Sequence, residues 1–285
     1  MDEPAFPFVF NEAHAETTPV ISALSMHVLP PIASLVKFVR QVALVRNQAK
    51  TLQTAPTTGA LLAFRLSGGV TTRGRAVPAL SVTGLQTRAR QYEYCGGTVS
   101  LLVRLTPQGG RCLGVPAAEL TDATVSVADL PAARTLAGLH EQLLEAPNAA
   151  DALSALEAAL GALPFQLDPL VEQARALLTN APGLHIADIA SRLGVSARQL
   201  ERRFHVAIGV SPKRFASLLR FERALPVLDG RAGLAHVAQA SGYFDQPHMS
   251  REIARFTGLS PARLRQQQQR TMAQVDMSGS YKPGA

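Results

Sequence analysis

The 285-residue chain has no tryptophan, four tyrosines and two cysteines, Cys95 and Cys112. Two thiols so far apart make no disulfide framework and fit no metal-ligand spacing, which argues against a stapled secreted scaffold and for a reducing, cytoplasmic setting. Long apolar runs are missing too. Nothing reaches the length of a membrane span, and the acidic, proline-bearing start MDEPAFPFVF lacks the basic and apolar segments of a secretion signal, so no membrane partner is expected. Ahead of residue 180 the only histidines are His14, His27 and His140, read as lying off the predicted strands, so no histidine-rich metal centre is expected in a sheet. Gly68-Gly69 and Gly109-Gly110 lack the strand, spacing and lysine of a phosphate loop and read as hairpin turns. No nucleophile elbow is present. Cys95 reads as a buried structural cysteine in preference to a redox-sensing or alkyl-accepting thiol. These absences leave no catalytic constellation, no metal and no cofactor.

Acidic residues are scarce in one region only. The net charge is +7, yet residues 183–270 hold 14 Lys and Arg against 6 Asp and Glu, while the remainder holds 14 against 15. A surplus confined to one segment, and made of arginine with a single lysine, suits phosphate neutralisation. With 47% hydrophobic and 17% charged residues the chain is an ordinary globular one, long enough for two domains with cores of their own.

Within the basic segment, His185 to Pro212 reads HIADIASRLGVSARQLERRFHVAIGVSP. Ile186, Ile189, Ala190 and Leu193 recur at helical spacing, Gly194 breaks the run, and Ser196 opens a second helix. Ser196 with Gln199 makes a capping box, and Val195 before the cap faces Leu200 as a hydrophobic staple. Leu200 and Phe204 then point to a core and leave Arg198, Glu201, Arg202 and His205 on the opposite face. This is a helix-turn-helix pattern. Leu234 to Pro261, LAHVAQASGYFDQPHMSREIARFTGLSP, repeats it: Gly194 answers Gly242, Leu200 answers Met249, Arg202 answers Arg251, and Ser211-Pro212 answers Ser260-Pro261. The second turn carries one extra residue, which places Phe244 in the staple position ahead of Asp245. Between the units, Ser211 as cap and Pro212 at the first helical position start a spacer helix through Phe215, Leu218, Leu219, Phe221 and Leu225.

Two tandem units joined by one helix and closed by GVSP and GLSP resemble the DNA-binding domain of the AraC family of transcription regulators, over about Asp168 to Gln267. The resemblance implies promoter binding, with Arg198, Glu201 and Arg202 of one recognition helix and Gln246, Ser250 and Arg251 of the other reading bases in successive major grooves. Lys213, Arg214 and Arg255 are placed for phosphates. His205 and His248 lie on the same helices, where a packing or capping role competes with a DNA contact. Two departures stand out. Pro226 inside the spacer predicts an early end or a kink near Leu225. Pro247 stands where a polar reader is frequent and can offer only apolar contact, for instance to a thymine methyl.

Ahead of this region, residues 1–20 read as a loose arm, and the stretch from Ala23 to Gly114 as a small sheet-based domain. Its elements are a helix from Ile32 to Val45 and strands at Ala60 to Leu66, Ala79 to Thr83, Gln91 to Tyr94 and Thr98 to Thr106. Leu136, Leu139 and Leu143, then Leu153, Leu156, Leu160 and Leu163, mark two amphipathic helices. The turns GLQTR (Gly84 to Arg88) and TPQGG (Thr106 to Gly110), with LGVPAAELTD (Leu113 to Asp122), resemble the sensor half found ahead of some AraC-type domains. The fold expected is therefore α+β. A sheet-based, cupin- or jelly-roll-like sensor and dimerisation domain with accessory helices spans residues 1–165. An all-α tandem helix-turn-helix domain spans 166–267, and a disordered tail spans 268–285. The function implied is that of a sequence-specific transcription regulator, an activator, with promoter DNA, RNA polymerase, a small-molecule effector and a second copy of itself as partners. The competing readings are an enzyme or alkyl-acceptor repair-type protein targeted to DNA by the same domain, and a ligand-independent DNA-binding protein whose sheet serves only for dimerisation.

Overall fold

The computed structural model describes residues 9–10, 24–28, 32–35, 39–47, 51–95, 97–181, 183–230 and 232–267. Two antiparallel sheets come first. One joins β1 (Val9–Phe10), β4 (Thr51–Thr54), β6 (Val70–Thr72), β7 (Arg75–Ala76) and β9 (Arg90–Tyr94), in the order β1-β4-β9-β6-β7. The other joins β2 (Leu24–Val28), β3 (Val39–Asn47), β5 (Leu61–Ser67), β8 (Leu80–Thr83), β10 (Thr98–Leu105) and β11 (Thr124–Ser126), in the order β11-β8-β5-β10-β3-β2. Helices follow, the first of them ahead of β11: α1 (Ala117–Leu120), α2 (Ala133–Glu145), α3 (Ala149–Gly161), α4 (Pro169–Asn180), α5 (Ile186–Arg192), α6 (Ala197–Ile208), α7 (Pro212–Asp229), α8 (Leu234–Ala240) and α9 (Gln246–Thr257), and residues 261–267 are helical as well. The order of sheets and then helices is the α+β arrangement that the sequence implies.

Strand β10 shows why the larger sheet forms. Its Leu101 and Val103 stand opposite Phe64 and Leu62 of β5, and the period-2 alternation turns all four to one buried face. Leu136, Leu139 and Leu143 of α2 and Leu156 and Leu160 of α3 join the same cluster, so the leucine stripes pack on the chain's own sheet. Each such leucine stabilises the fold by roughly 1.5–3 kcal/mol.

Several expectations do not hold. The run from Ile32 to Val45 is no helix: a 3-10 turn at Ala33–Leu35 precedes β3, which pairs with both β2 and β10. Val39, Val42 and Val45 recur every three residues and so imitate helical spacing, but valine's stiff, branched side chain suits a paired strand better. Neither glycine pair makes a hairpin turn: Gly109-Gly110 opens a 3-10 helix, Gly109–Leu113, and Gly68-Gly69 carries the chain from β5 of one sheet to β6 of the other, strands that do not pair. His27 lies on β2, and Cys95 is exposed; Cys112 is the buried thiol, its pKa pushed up to about 12 by burial. Val9–Phe10 of the expected arm pairs with β4, while the rest of that arm and the tail from 268 lie outside the described residues. Finally, α7 does not stop near Leu225 but runs on to Asp229 with the exposed Pro226 inside it.

The helical region has a cluster of its own, built on Leu200 and Phe204 of α6, Phe215, Leu218 and Phe221 of α7, and Met249, Ile253 and Phe256 of α9. Phe204 meets Phe215 edge-on at 5.7 Å between centroids, and Phe221 meets Phe256 at 5.1 Å. Ala55 and Leu85 reach into this cluster from the sheet region.

Candidate nucleic-acid interface

Each helix-turn-helix unit is pinned at its turn by local chemistry. In the first, Gly194 takes φ 67°, and the Val195 N–H donates to the Ala190 carbonyl at 3.0 Å. Ser196 then caps α6 in a complete capping box with Gln199. In the second, Gly242 takes φ 80°, the Tyr243 N–H donates to the Ala238 carbonyl at 2.9 Å, and Asp245 caps α9 through the His248 N–H. Ala190 and Ala238 are the paired positions of the repeat, so Tyr243 is the counterpart of Val195. The additional residue of the second turn is therefore Phe244, which is 93% exposed and does not serve as the staple. Tyr243 fills that place: it is buried, edge-on to the His248 ring at 5.5 Å and under the Arg220 guanidinium at 5.5 Å.

The second helix of each unit, α6 in the first and α9 in the second, has a buried face and an exposed one. On α6, Leu200, Phe204, Ala207 and Ile208 are buried, while Arg198, Glu201, Arg202 and His205 are exposed. An open groove of roughly 890 Å³ lies along that outer face, lined by Arg198, Gln199, Glu201, Arg202, His205 and Val206 with the capping residues Ser196 and Ser211. On α9, Met249, Ile253 and Phe256 are buried, Gln246, Pro247 and Arg251 are exposed, and Ser250 is half-buried. Of the six residues singled out as base readers, five are therefore exposed, three on α6 and two on α9, and Ser250 is half-buried.

The phosphate candidates differ among themselves. Lys213 is exposed at the start of α7. Arg214 is half-buried, with its guanidinium 4.9 Å from the centre of the Phe256 ring and donating to the Thr87 carbonyl at 3.1 Å. Arg255 lies 5.1 Å from the same ring and donates to Ser217 and Glu252. No local pattern points to Glu252's part in this. Its carboxylate, nearly buried, accepts from Ser217 at 2.6 Å and pairs with Arg220 and Arg255, tying α9 to α7. A lone glutamate on a polar helix face reads as solvated, and only the fold brings its partners to it.

A second unforeseen set joins the sheet region to both units. Glu222 of α7 accepts from the Thr58 N–H and hydroxyl and pairs with Arg104 at 3.0 Å. The Ala89 N–H donates to the Phe256 carbonyl at the end of α9, and the Thr121 hydroxyl to the Gly209 carbonyl at the end of α6. Gly209 needs to be glycine on two counts: its φ is 94°, and a Cβ there would sit 2.7 Å from the Ala117 carbonyl oxygen.

A helix-turn-helix domain family model matches residues 189–267. A protein of Streptomyces antibioticus named as an AraC-like transcription regulator is 27% identical over 233 residues, which cover 75% of this chain and 72% of the relative. Among solved structures, a transcriptional regulator of Chromobacterium violaceum with an AraC-type DNA-binding domain is 30% identical; the match covers 35% of this chain and 92% of that one, at a TM-score of 0.33. Apo ToxT of Vibrio cholerae matches 80% of this chain and 97% of its own length at 12% identity and a TM-score of 0.45.

Proposed function

Because the chain belongs to the AraC-type transcription regulators, we propose that it binds promoter DNA through α6 and α9, each helix reading one half of the site. Arg198, Glu201 and Arg202 read the first half, and Gln246, Ser250 and Arg251 the second. Arginine grips guanine O6 and N7 together, glutamate accepts from cytosine N4, and glutamine pairs with adenine. The observation that carries this reading is the separation of faces. Five of these side chains are exposed and Ser250 is half-buried, while the opposite faces of both helices are buried in one cluster shared with α7. Two recognition helices on one support meet one side of B-DNA at grooves about 34 Å apart. Lys213 serves as a phosphate contact, and Arg214 and Arg255 contribute through the N–H donors that their internal bonds leave over.

Residues 1–165 form the sensor and dimerisation part in this reading, residues 166–267 the DNA-binding part and 268–285 a tail. The signal is a small-molecule effector, RNA polymerase is the partner at the promoter, activation is the output, and the setting is cytoplasmic. No catalytic role is assigned. The test is a fragment of residues 166–285, checked for folding by circular dichroism. It should retain sequence-specific footprints on promoter fragments bound by the full chain. A folded fragment without footprints overturns the division of labour. Thermal shift of the full chain with a metabolite panel tests the effector, since a ligand at 100 times its Kd adds about 2.7 kcal/mol.

A further inference from the structure

We infer that Phe244 reads a thymine methyl group in the second half-site, an inference that rests on the reading of α9 as a major-groove helix. Phenylalanine is among the residues most often buried, yet this one is 93% exposed. Nothing in the chain's own packing asks for it. Tyr243, itself buried, already makes the backbone bond and fills the place that partly buried Val195 fills in the first unit, so Phe244 is the additional residue, turned out to solvent. Its place in the fold is specific. It directly precedes Asp245, the cap of α9, and so stands at the N-terminal end of that helix, the end that a recognition helix presents to base edges. Exposed Pro247, three residues on, supplies a second apolar surface beside exposed Gln246.

Major-groove base edges are hydrogen-bond donors and acceptors with one apolar exception, the C5-methyl of thymine, and apolar side chains including phenylalanine contact it. Phe244 and Pro247 cannot answer the polar edges, so the methyl is the group that this corner of the interface fits. The first unit has no such residue, its turn passing from Gly194 through Val195 directly to Ser196. The two turns are consequently unequal, and the methyl contact made by a turn phenylalanine belongs to the second half of the site.

The experiment uses the full chain and the site that it selects from a random duplex library. Each thymine in the second half-site is replaced in turn by uracil, which removes the methyl and nothing else. Wild type should bind at least one such duplex about fourfold more weakly, the effect of one buried carbon. Phe244→Ala should bind the thymine and uracil duplexes alike, and Phe244→Leu should restore part of the difference. An exposed side chain can be truncated without loss of folding, which thermal melting of each variant checks. A selected site with no uracil-sensitive position, or a uracil cost unchanged in Phe244→Ala, overturns the inference and leaves the promoter-binding reading standing. A wild type that selects no site overturns that reading and this inference with it.

Discussion

Arg104 of β10 and Glu222 of α7 meet at 3.0 Å with side chains that are 5% and 10% exposed, joining the sheet region to the helix that carries both helix-turn-helix units. The same carboxylate accepts from the Thr58 N–H at 2.9 Å and lies 3.9 Å from Arg40. Two charges taken this far from water depend on each other, because the cost of desolvation is offset only while the pair is intact. Arg104→Met should therefore destabilise the chain by about 3–5 kcal/mol, whereas the double change Arg104→Met, Glu222→Met should recover much of the loss. Urea unfolding of the two single variants and the double variant completes the cycle. A double variant as unstable as the sum of its parents would show that the pair is not a coupled unit.

Asp168 performs two tasks at the start of α4. It caps the helix through the Leu170 and Val171 N–H groups, each at 3.1 Å, and takes two bonds of 2.8 Å from the Arg203 guanidinium of α6. Burial pushes its pKa up, but the Arg203 bonds and the helix N–H donors outweigh burial and hold it below the usual value. A carboxyl whose folded pKa is depressed adds stability that is present above its unfolded pKa, about 3.9, and lost as pH falls through the folded value. Asp168→Asn keeps the cap and removes the pair. It should cost below about 1 kcal/mol at neutral pH, since Arg203 is 42% exposed, and should flatten the fall in stability below about pH 4. Asp168→Ala should cost about 1 kcal/mol more, the usual worth of a cap. Thermal melting from pH 2.5 to 7 compares them, and an unchanged acid limb in Asp168→Asn would rule out this carboxyl as a source of the pH dependence.

The helical region was legible because its signals are local. Capping box, glycine turns, the spacing of Leu200 and Phe204, and the match of Met249 to Leu200 in the repeat are read from short stretches of chain, and all of them appear in the fold. The sheet region was legible where alternation is strong, as in β5 and β10. It failed where valines every third residue imitated a helix, and short strands such as β6 and β7 have too few residues to show a period. What joins the regions was not legible at all. Thr58, Arg104 and Glu222 are separated by 46 to 164 residues in the chain, and no pattern within a window of sequence can pair them. The same holds for Phe244, whose exposure follows only once Tyr243 is seen to occupy the place of Val195.

Pro226 interrupts α7 without ending it. Proline offers no N–H to the carbonyl four residues earlier, that of Glu222, and its ring crowds the same carbonyl. Since Pro226 is exposed, a small replacement disturbs no packing. Pro226→Ala should restore the missing helical bond and stabilise the chain, by as much as about 3 kcal/mol if the full helix-interior penalty is relieved. The measurement is the midpoint of urea unfolding at unchanged slope. A lower midpoint would mean that the proline is itself required in α7, with the Glu222 contacts one turn earlier as the natural reason.

The division between base and phosphate contacts separates Arg202 from Lys213, both exposed, one on the outer face of α6 and the other in the first turn of α7. A phosphate contact releases counterions whatever the sequence, so Lys213→Ala should weaken binding to every duplex similarly and reduce the salt slope by about one unit. A base contact discriminates. Arg202→Ala should cost about 1–3 kcal/mol on the preferred site and relax the preference at particular base pairs of the first half-site only. Leu200→Ala is the control for unfolding, because it removes a buried side chain at roughly 2–5 kcal/mol and lowers binding by loss of fold. Site selection from a random library, with wild type and Arg202→Ala compared at matched folding stability, decides the matter. If the preference in the first half-site is unchanged, Arg202 contacts phosphate and the reading face of α6 has to be reassigned to Arg198, Glu201 and His205.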